Sequence, residues 1–298
     1  MSRLQAMQVF VRVAETSGFA EAARQLHMSP PAVTRAVAAL EDIIGTRLLT
    51  RTTRSVKLTE AGGRYFEDCR RILAEIVEAE AAAAGSYSTP TGVLSVTSSV
   101  LFGQGYILPI LTDFLDANPG VSARALFLDR VVNIVDEGVD VAIRIGHLPD
   151  SSYSAIRVGT VRRVVCGAPC YFEQHGVPTR PADLAKHRII AATSAFSALD
   201  WRFGSDEKTV VTVNPRLSCS TYESVIAAAL SGWGLARPLS YQIGAALVAG
   251  TLQTVLSEFE PEPLPIHVVH PDGRRASAKV RAFVDLTVDR LRANRLIN

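Results

Sequence analysis

The sequence is short of the residues that would commit it to a specialised class. Its 298 residues include only four cysteines, three methionines and two tryptophans, and aromatic side chains make up 7% of it. Cysteines this sparse form no disulfide framework, so the thiols read as reduced. Cys166 and Cys170 (CGAPC) lack the two-residue spacing of a redox pair and read as small buried residues. No run approaches the ~18 apolar residues of a membrane span. The stretch MSRLQAMQVFVRVAETSGF places Glu15 in an amphipathic pattern, where an export signal would have an unbroken apolar core. A cytoplasmic location without a membrane partner is therefore expected. Phosphate-cradling glycine loops and the GxSxG nucleophile elbow are missing too, and Gly103-Gln104-Gly105 falls inside a helical pattern. His267 and His270 stand three apart in a predicted strand, on opposite faces, so they do not share a metal. These absences lead us to expect no catalytic cluster, no cofactor and no metal.

Charge of one sign is missing overall, since 31 Lys and Arg face 29 Asp and Glu for a net charge of +2. It is present locally. Residues 1–57 carry Arg3, Arg12, Arg24, Arg35, Arg47, Arg51, Arg54 and Lys57 against Glu15, Glu21, Glu41 and Asp42, a surplus of four positive charges. A basic head on a slightly acidic body points to an anionic partner for the head alone.

The head reads as three short helices. Leu4, Met7, Phe10, Val11 and Ala14 recur at helical spacing until Thr16-Ser17-Gly18, and Phe19, Ala22, Ala23 and Leu26 give a second helix. Ser29 precedes Pro30 at the start of a third, whose stripe is Val33, Ala36, Val37, Leu40 and Ile44. Its other face carries Pro31, Thr34, Arg35 and Ala38. Small residues at the crossing give the second and third helices the dimensions of a helix-turn-helix, whose second helix can enter a major groove. RLLTRTTRSVKLT (47–59) then reads as a small hairpin with four cations and no acid, suited to a phosphate backbone or a minor groove.

The run FVRVAETSGFAEAARQLHMSPPAVTRAVAALEDIIGTRLLTRTTRSVKLTEAG resembles the winged helix-turn-helix of the LysR-type transcriptional regulators. The resemblance is strong over residues 4–62, and the family architecture accounts for the rest. It implies that Ser29, Pro31, Thr34 and Arg35 face DNA, with Arg51, Thr52 and Arg54 on the wing. Pro30 stands where many members have Gln; proline has no donor for an adenine edge, so that base contact is lost.

From Thr59 to about Ala84 a long helix is expected, with Phe66, Cys69, Ile72, Leu73, Ile76, Ala79 and Ala83 along one seam. No second helix follows to cover it, so a partner copy of the same helix is the economical cover, packing on its own body being the alternative. GSYSTPTG (85–92) is a linker. The body alternates strands and helices: strand 93–97, helix 101–117, strand 121–128, helix 131–137 and strand 139–145. A second α/β unit begins near 161–166 and has helices near 169–175 and 182–186. It continues with strands 189–193 and 210–218 and a helix 222–232, and the chain closes with strand 266–270 and helix 277–293. This succession indicates open, mostly parallel α/β sheets.

The expected organisation is thus a multidomain chain: a winged helix-turn-helix over 1–58, a linker and dimerisation helix over 59–87, and an α/β domain over 88–298. In that last domain, lobe I is about 88–160 with 268–298, and lobe II about 161–267. Two such lobes resemble the effector domain of the same family, itself similar to periplasmic binding proteins. Ligands in such folds lie where helix amino-termini meet strand ends. Here those corners are Ser98-Ser99, Gly146-His147, Thr193-Ser194 and Ser220-Thr221, although each hydroxyl could equally serve only as a helix cap. Leu128 replaces the Ser or Thr that many relatives have before Asp-Arg, and Phe196 and Trp201 add apolar surface. The expected effector site (Ser98, Ser99, Leu128, Gly146, Thr193, Ser194, Phe196, Trp201, Thr221) therefore suits an aromatic or partly apolar acid. The resemblance further implies double-stranded DNA with dyad symmetry, a homodimer or homotetramer, RNA polymerase as a partner, and a place at the bacterial nucleoid. A solute-binding protein would explain the body without the basic head, and an enzyme would need a catalytic cluster.

Overall fold

The computed structural model describes residues 1–51, 56–83, 89–130, 133–134, 136–149, 153–193, 199–271, 276–294 and 296–297. The chain divides into two compact units, Met1–Ser88 and Thr89–Asn298.

In the first unit, helices α1 (Arg3–Thr16), α2 (Phe19–Gln25) and α3 (Pro30–Ile44) enclose one core of Phe10, Val13, Ala22, Ala23, Val33, Ala36, Val37 and Leu40. Ser2 and Gln5 form a capping box at the start of α1. His27, in the left-handed region at φ 52°, makes the turn between α2 and α3. Strands β1 (Leu49–Arg51) and β2 (Val56–Leu58) pair antiparallel, with Arg51 opposite Val56 and Thr50 opposite Lys57. Helix α4 (Glu60–Ala83) follows. Thr59 caps it by accepting from the Gly62 amide at 2.9 Å, while its hydroxyl donates to the Arg47 carbonyl at 2.8 Å.

The seam of α4 has a nearer cover than a second copy. Tyr65, Phe66, Cys69, Ile72 and Leu73 pack on the head core, with Phe10 against both aromatic rings. Gly62 makes this possible, since a Cβ there would sit 1.9 Å from the Leu48 carbonyl oxygen. Beyond Leu73 the helix leaves that core, and Val77 is 61% exposed.

In the second unit, β3 (Gly92–Ser98), β4 (Val121–Phe127), β5 (Val141–Ile145) and β6 (Ser154–Val161) run in one direction in a five-stranded sheet, order β4-β3-β5-β13-β6. The chain's last strand, β13 (Leu264–His270), is reversed between β5 and β6. The second layer is β7 (Val165–Gly167), β8 (Ile190–Ala192), β11 (Leu217–Cys219) and β12 (Gln253–Val255). The bridges Cys166 to Ala236 and Ile189 to Leu235 join them. A hairpin of β9 (Asp200–Phe203) and β10 (Thr209–Thr212) lies beside this layer. Helices α5 (Val100–Phe102), α6 (Leu108–Ala117), α7 (Pro169–His175), α8 (Tyr222–Leu230), α9 (Gly244–Val248) and α10 (Ala278–Arg292) complete the unit. The five-stranded sheet packs one face on α6 and α10 through Ile110, Phe114, Phe283 and Val284. The second layer has its own clusters around Tyr171, Trp201 and Phe203, and around Val225 and Ala236.

Three expectations fail for physical reasons. The helix expected over 131–137 is absent at its described residues, where Asn133 bonds Asp136 at 2.6 Å and the chain turns. The helix expected over 101–117 is interrupted by a π turn, Gly103–Ile107. Gly103 lies against the Phe127 ring, which a Cβ would approach to 2.4 Å. The strand expected over 210–218 is two strands in different sheets, broken at Asn214-Pro215 because proline has no amide to donate.

Candidate functional site

On the head, α3 buries Val33, Ala36, Val37 and Leu40 and exposes Ser29, Pro31 and Arg35, with Thr34 half-buried. Ser29 takes the N-cap position without a side-chain cap bond. Pro30 and Pro31 have no amide hydrogen to offer its hydroxyl. The same pair removes two of the amides that a helix amino-terminus normally offers to an anion. Arg12 and Arg24 are paired with Glu15 and Glu21, and no ion-pair partner for Arg35 occurs among the described residues. Glu41, on the far side of α3, accepts from the Leu48 and Leu49 amides at 2.8 and 3.0 Å and so anchors the first wing strand. Arg51 is placed by its backbone at the end of β1; Thr52 and Arg54 lie outside the described residues.

The body holds a cavity of about 590 Å³. Ser98, Ser99 and Leu128, all named from sequence, lie on its wall, and Gly146 stands between wall residues Ile145 and His147. The others lie elsewhere. Thr193 bonds the Cys219 carbonyl and ties β8 to β11. Thr221 caps α8, and its neighbour Tyr222 reaches the wall instead. Trp201 is only 5% exposed and belongs to the core of the second layer, so it offers no surface to a ligand. Ser194 and Phe196 lie outside the described residues.

Trp201 acts on the wall indirectly. The Arg237 guanidinium lies 5.6 Å from the Trp201 ring and 4.6 Å from Phe203, and bonds the Arg202 carbonyl. Burial, with Arg163 nearby, pushes Arg237 down to about 10, yet it stays charged near neutral pH. Its Nε is buried without a partner, as is the hydroxyl of Ser98, which is 4% exposed. Such groups carry a desolvation cost until something bonds them. The Ser99 hydroxyl meets the Tyr241 hydroxyl at 3.3 Å, and Asp129 accepts from the Val100 amide at 3.1 Å at the start of α5. Burial raises Tyr222 and Tyr241, which therefore remain neutral donors.

Sequence reasoning missed Arg144, Arg163, Tyr222, Arg237 and Tyr241, all on the wall. No local motif marks them; only the crossing between sheets brings them together. Cys166 fits its reading, since burial pushes its thiol up to about 12, whereas Cys170 is exposed. Among the described residues no three metal-ligating side chains converge, and no helix is long and apolar enough to cross a membrane.

Comparison with known proteins matches residues 4–63 to the bacterial regulatory helix-turn-helix protein family, lysR type, and residues 88–292 to the LysR substrate binding domain. CrgA of Neisseria meningitidis is 31% identical over 97% of each chain. Its solved structure, that of a LysR-type transcriptional regulator, superposes with a TM-score of 0.63 over 97% of this chain and 99% of that one. The transcriptional activator AaeR of Escherichia coli is 31% identical over 97% of this chain and 94% of its own length. A transcriptional repressor of Pseudomonas aeruginosa is 32% identical over 97% and 92%.

Proposed function

This chain belongs to the LysR family of DNA-binding transcriptional regulators, and we propose that it reads a dyad-symmetric operator under the control of a small anionic effector held in the cavity of its body. Residues 1–58 are the reading head. Ser29, Pro31, Thr34 and Arg35 enter the major groove, where Arg35 has the reach and the donors for a guanine edge. Arg51, Thr52 and Arg54 hold the wing to phosphates and set affinity without sequence preference. One such head covers few base pairs, so a second copy supplies the other half-site. The free stretch of the 59–87 segment, from Ile76 onward, is the contact between copies, and body contacts extend the assembly to a dimer or tetramer. RNA polymerase is the downstream partner, and the site of action is the cytoplasmic nucleoid.

The observation that carries the effector reading is the wall of the cavity. It joins partnerless buried polar atoms, Ser98 Oγ and Arg237 Nε, to guanidiniums and apolar side chains. Water in such a gap satisfies the polar groups alone, whereas an acid with an apolar part bonds them and also covers the apolar side chains of the wall. Effector residues are proposed at Ser98, Ser99, Leu128 and Gly146, with Arg163, Tyr222, Arg237 and Tyr241 from the other layer. Binding shifts the regulator only insofar as the effector prefers one arrangement of the two layers. AaeR and the Pseudomonas repressor are named with opposite signs at nearly equal identity, so likeness assigns neither activation nor repression. The test is footprinting of the operator with and without a library of organic acids. An acid that both stabilises the protein and changes the footprint supports the reading; a footprint indifferent to every stabilising acid refutes it.

A further inference from the structure

The wing is too small to place itself. Strands β1 and β2 have three residues each, and a two-stranded hairpin on its own is marginal in water. Of their described residues, Leu49 and Val56 pack on the head core, whereas Thr50, Lys57 and Leu58 are exposed. What fixes the hairpin is therefore its base. There Leu48 and Leu49 are only 1% and 3% exposed, so their amides need partners inside the protein.

Both amides go to one atom. Glu41 Oε1 accepts from Leu48 at 2.8 Å and from Leu49 at 3.0 Å. Glu41 stands in the last turn of α3, six residues beyond Arg35, where the negative end of the helix dipole disfavours an acid. The helix by itself gives no reason for a carboxylate there; the two amides do. The Leu48 carbonyl is held from the other side, by the Thr59 amide at 2.9 Å and the Thr59 hydroxyl at 3.2 Å, just before α4 begins. One residue is thus bonded both to the helix that carries Arg35 and to the start of the linker helix, and the strand ending at Arg51 grows from it.

From this geometry we propose that Glu41 is a positioning residue for DNA binding: through the Leu48 and Leu49 amides it sets the placement of the wing relative to the exposed face of α3, and touches no DNA itself. The inference rests on the reading of α3 and the wing as DNA contacts and adds what registers one to the other. Glu41 acts by reach and not by charge. Removing a negative charge from a head that binds a polyanion would by itself tighten binding. Glutamine keeps the reach, and its amide oxygen accepts both bonds as the carboxylate oxygen does. Aspartate keeps the charge but withdraws the oxygen by about 1.5 Å, beyond the range of both bonds.

The experiment measures binding of the full chain to a mixed-sequence duplex of about 30 base pairs over a salt series, because wing contacts need no particular sequence. The proteins are the unaltered chain, Glu41→Gln, Glu41→Asp, Arg51→Ala, and Glu41→Asp combined with Arg51→Ala. Arg51→Ala lowers the salt slope by about one ion, and Glu41→Asp lowers it at least as far, weakening binding about tenfold at low salt. In the combined variant Arg51→Ala adds less than about a twofold loss, since both changes act through the same wing. Glu41→Gln binds at least as tightly as the unaltered chain. Glu41→Asp binding like the unaltered chain, Glu41→Gln as weak as Glu41→Asp, or losses that add in the combined variant each overturn the proposal. In those cases Arg51→Ala still acts, and the wing reading stands without it. If Arg51→Ala changes nothing in the unaltered chain, the wing reading falls and this inference with it. Circular dichroism and melting of each free variant accompany the titrations; a Glu41→Asp head that no longer melts cooperatively also overturns the proposal, since Glu41 would then serve the fold.

Discussion

Residues 1–88 close one small core in which Ala22, Ala23, Val33 and Ala36 leave no room between helices, whereas residues 89–298 build two layers with separate cores and a cavity of about 590 Å³. The DNA contacts proposed for the head come from a single helix and hairpin, so they are neighbours in sequence. The effector contacts proposed for the body face inward, where Ser98, Arg144 and Arg237 line one cavity although some 140 residues separate the first from the last. A convex site tolerates changes that leave its helix in place. A concave one depends on everything that fixes the two layers.

The strongest way to break this contrast is at Gly62, where an added methyl meets the Leu48 carbonyl. Gly62→Ala should cost the head about 3 kcal/mol or more, because a backbone atom cannot swing aside as a side-chain tip can. Calorimetry should show the head transition lowered and the body transition unmoved, with operator binding lost. A single transition shifted as a whole would show that head and body unfold together. Ile76→Glu is next. A charge at the point where α4 leaves the head core should separate the copies, read as monomers in sedimentation at micromolar concentration, while a single head keeps its fold. A dimer unaltered by that substitution would place the contact elsewhere.

Gly103→Ala probes the body in the same manner, but the obstacle is the Phe127 ring, which can give way. The expected cost is about 1–3 kcal/mol, with loss of effector response at intact operator binding. Arg35→Ala should cost about 1–3 kcal/mol on the preferred operator and almost nothing on random DNA, which competition assays measure directly. The smallest effect is expected from Arg51→Ala: binding weakens on all sequences alike, and the slope of log affinity against log salt falls by about one ion. A slope left as it was would remove Arg51 from the phosphate contacts.

The head was legible in the sequence because its rules are local. Helical spacing located α1, α2 and α3 to within about two residues, Pro30 marked the first position of α3, and the run from Arg47 to Thr59 announced a hairpin. The corners of β3 were legible for the same reason, and Ser98 and Ser99 do lie on the cavity wall. Legibility ended where packing decides. The seam of α4 showed that Phe66, Cys69 and Leu73 needed cover, but periodicity carries no information on what covers them, and the head core does. Trp201 looked like ligand surface because aromatic side chains suit apolar ligands; its strand turns it inward, where it supports Arg237.

What the sequence determined by itself is the order of elements, the basic face of the head and the resemblance to a family, each set by residues within one or two turns of chain. Tertiary structure decided which side chains line the cavity of the body. Arg144, Arg163 and Arg237 are ordinary surface-type residues by composition. They come to line one cavity only because β13 returns between β5 and β6 and the second layer packs beside the strand ends. Juxtaposition across more than a hundred residues is fixed by sheet order and core packing, which no local pattern encodes.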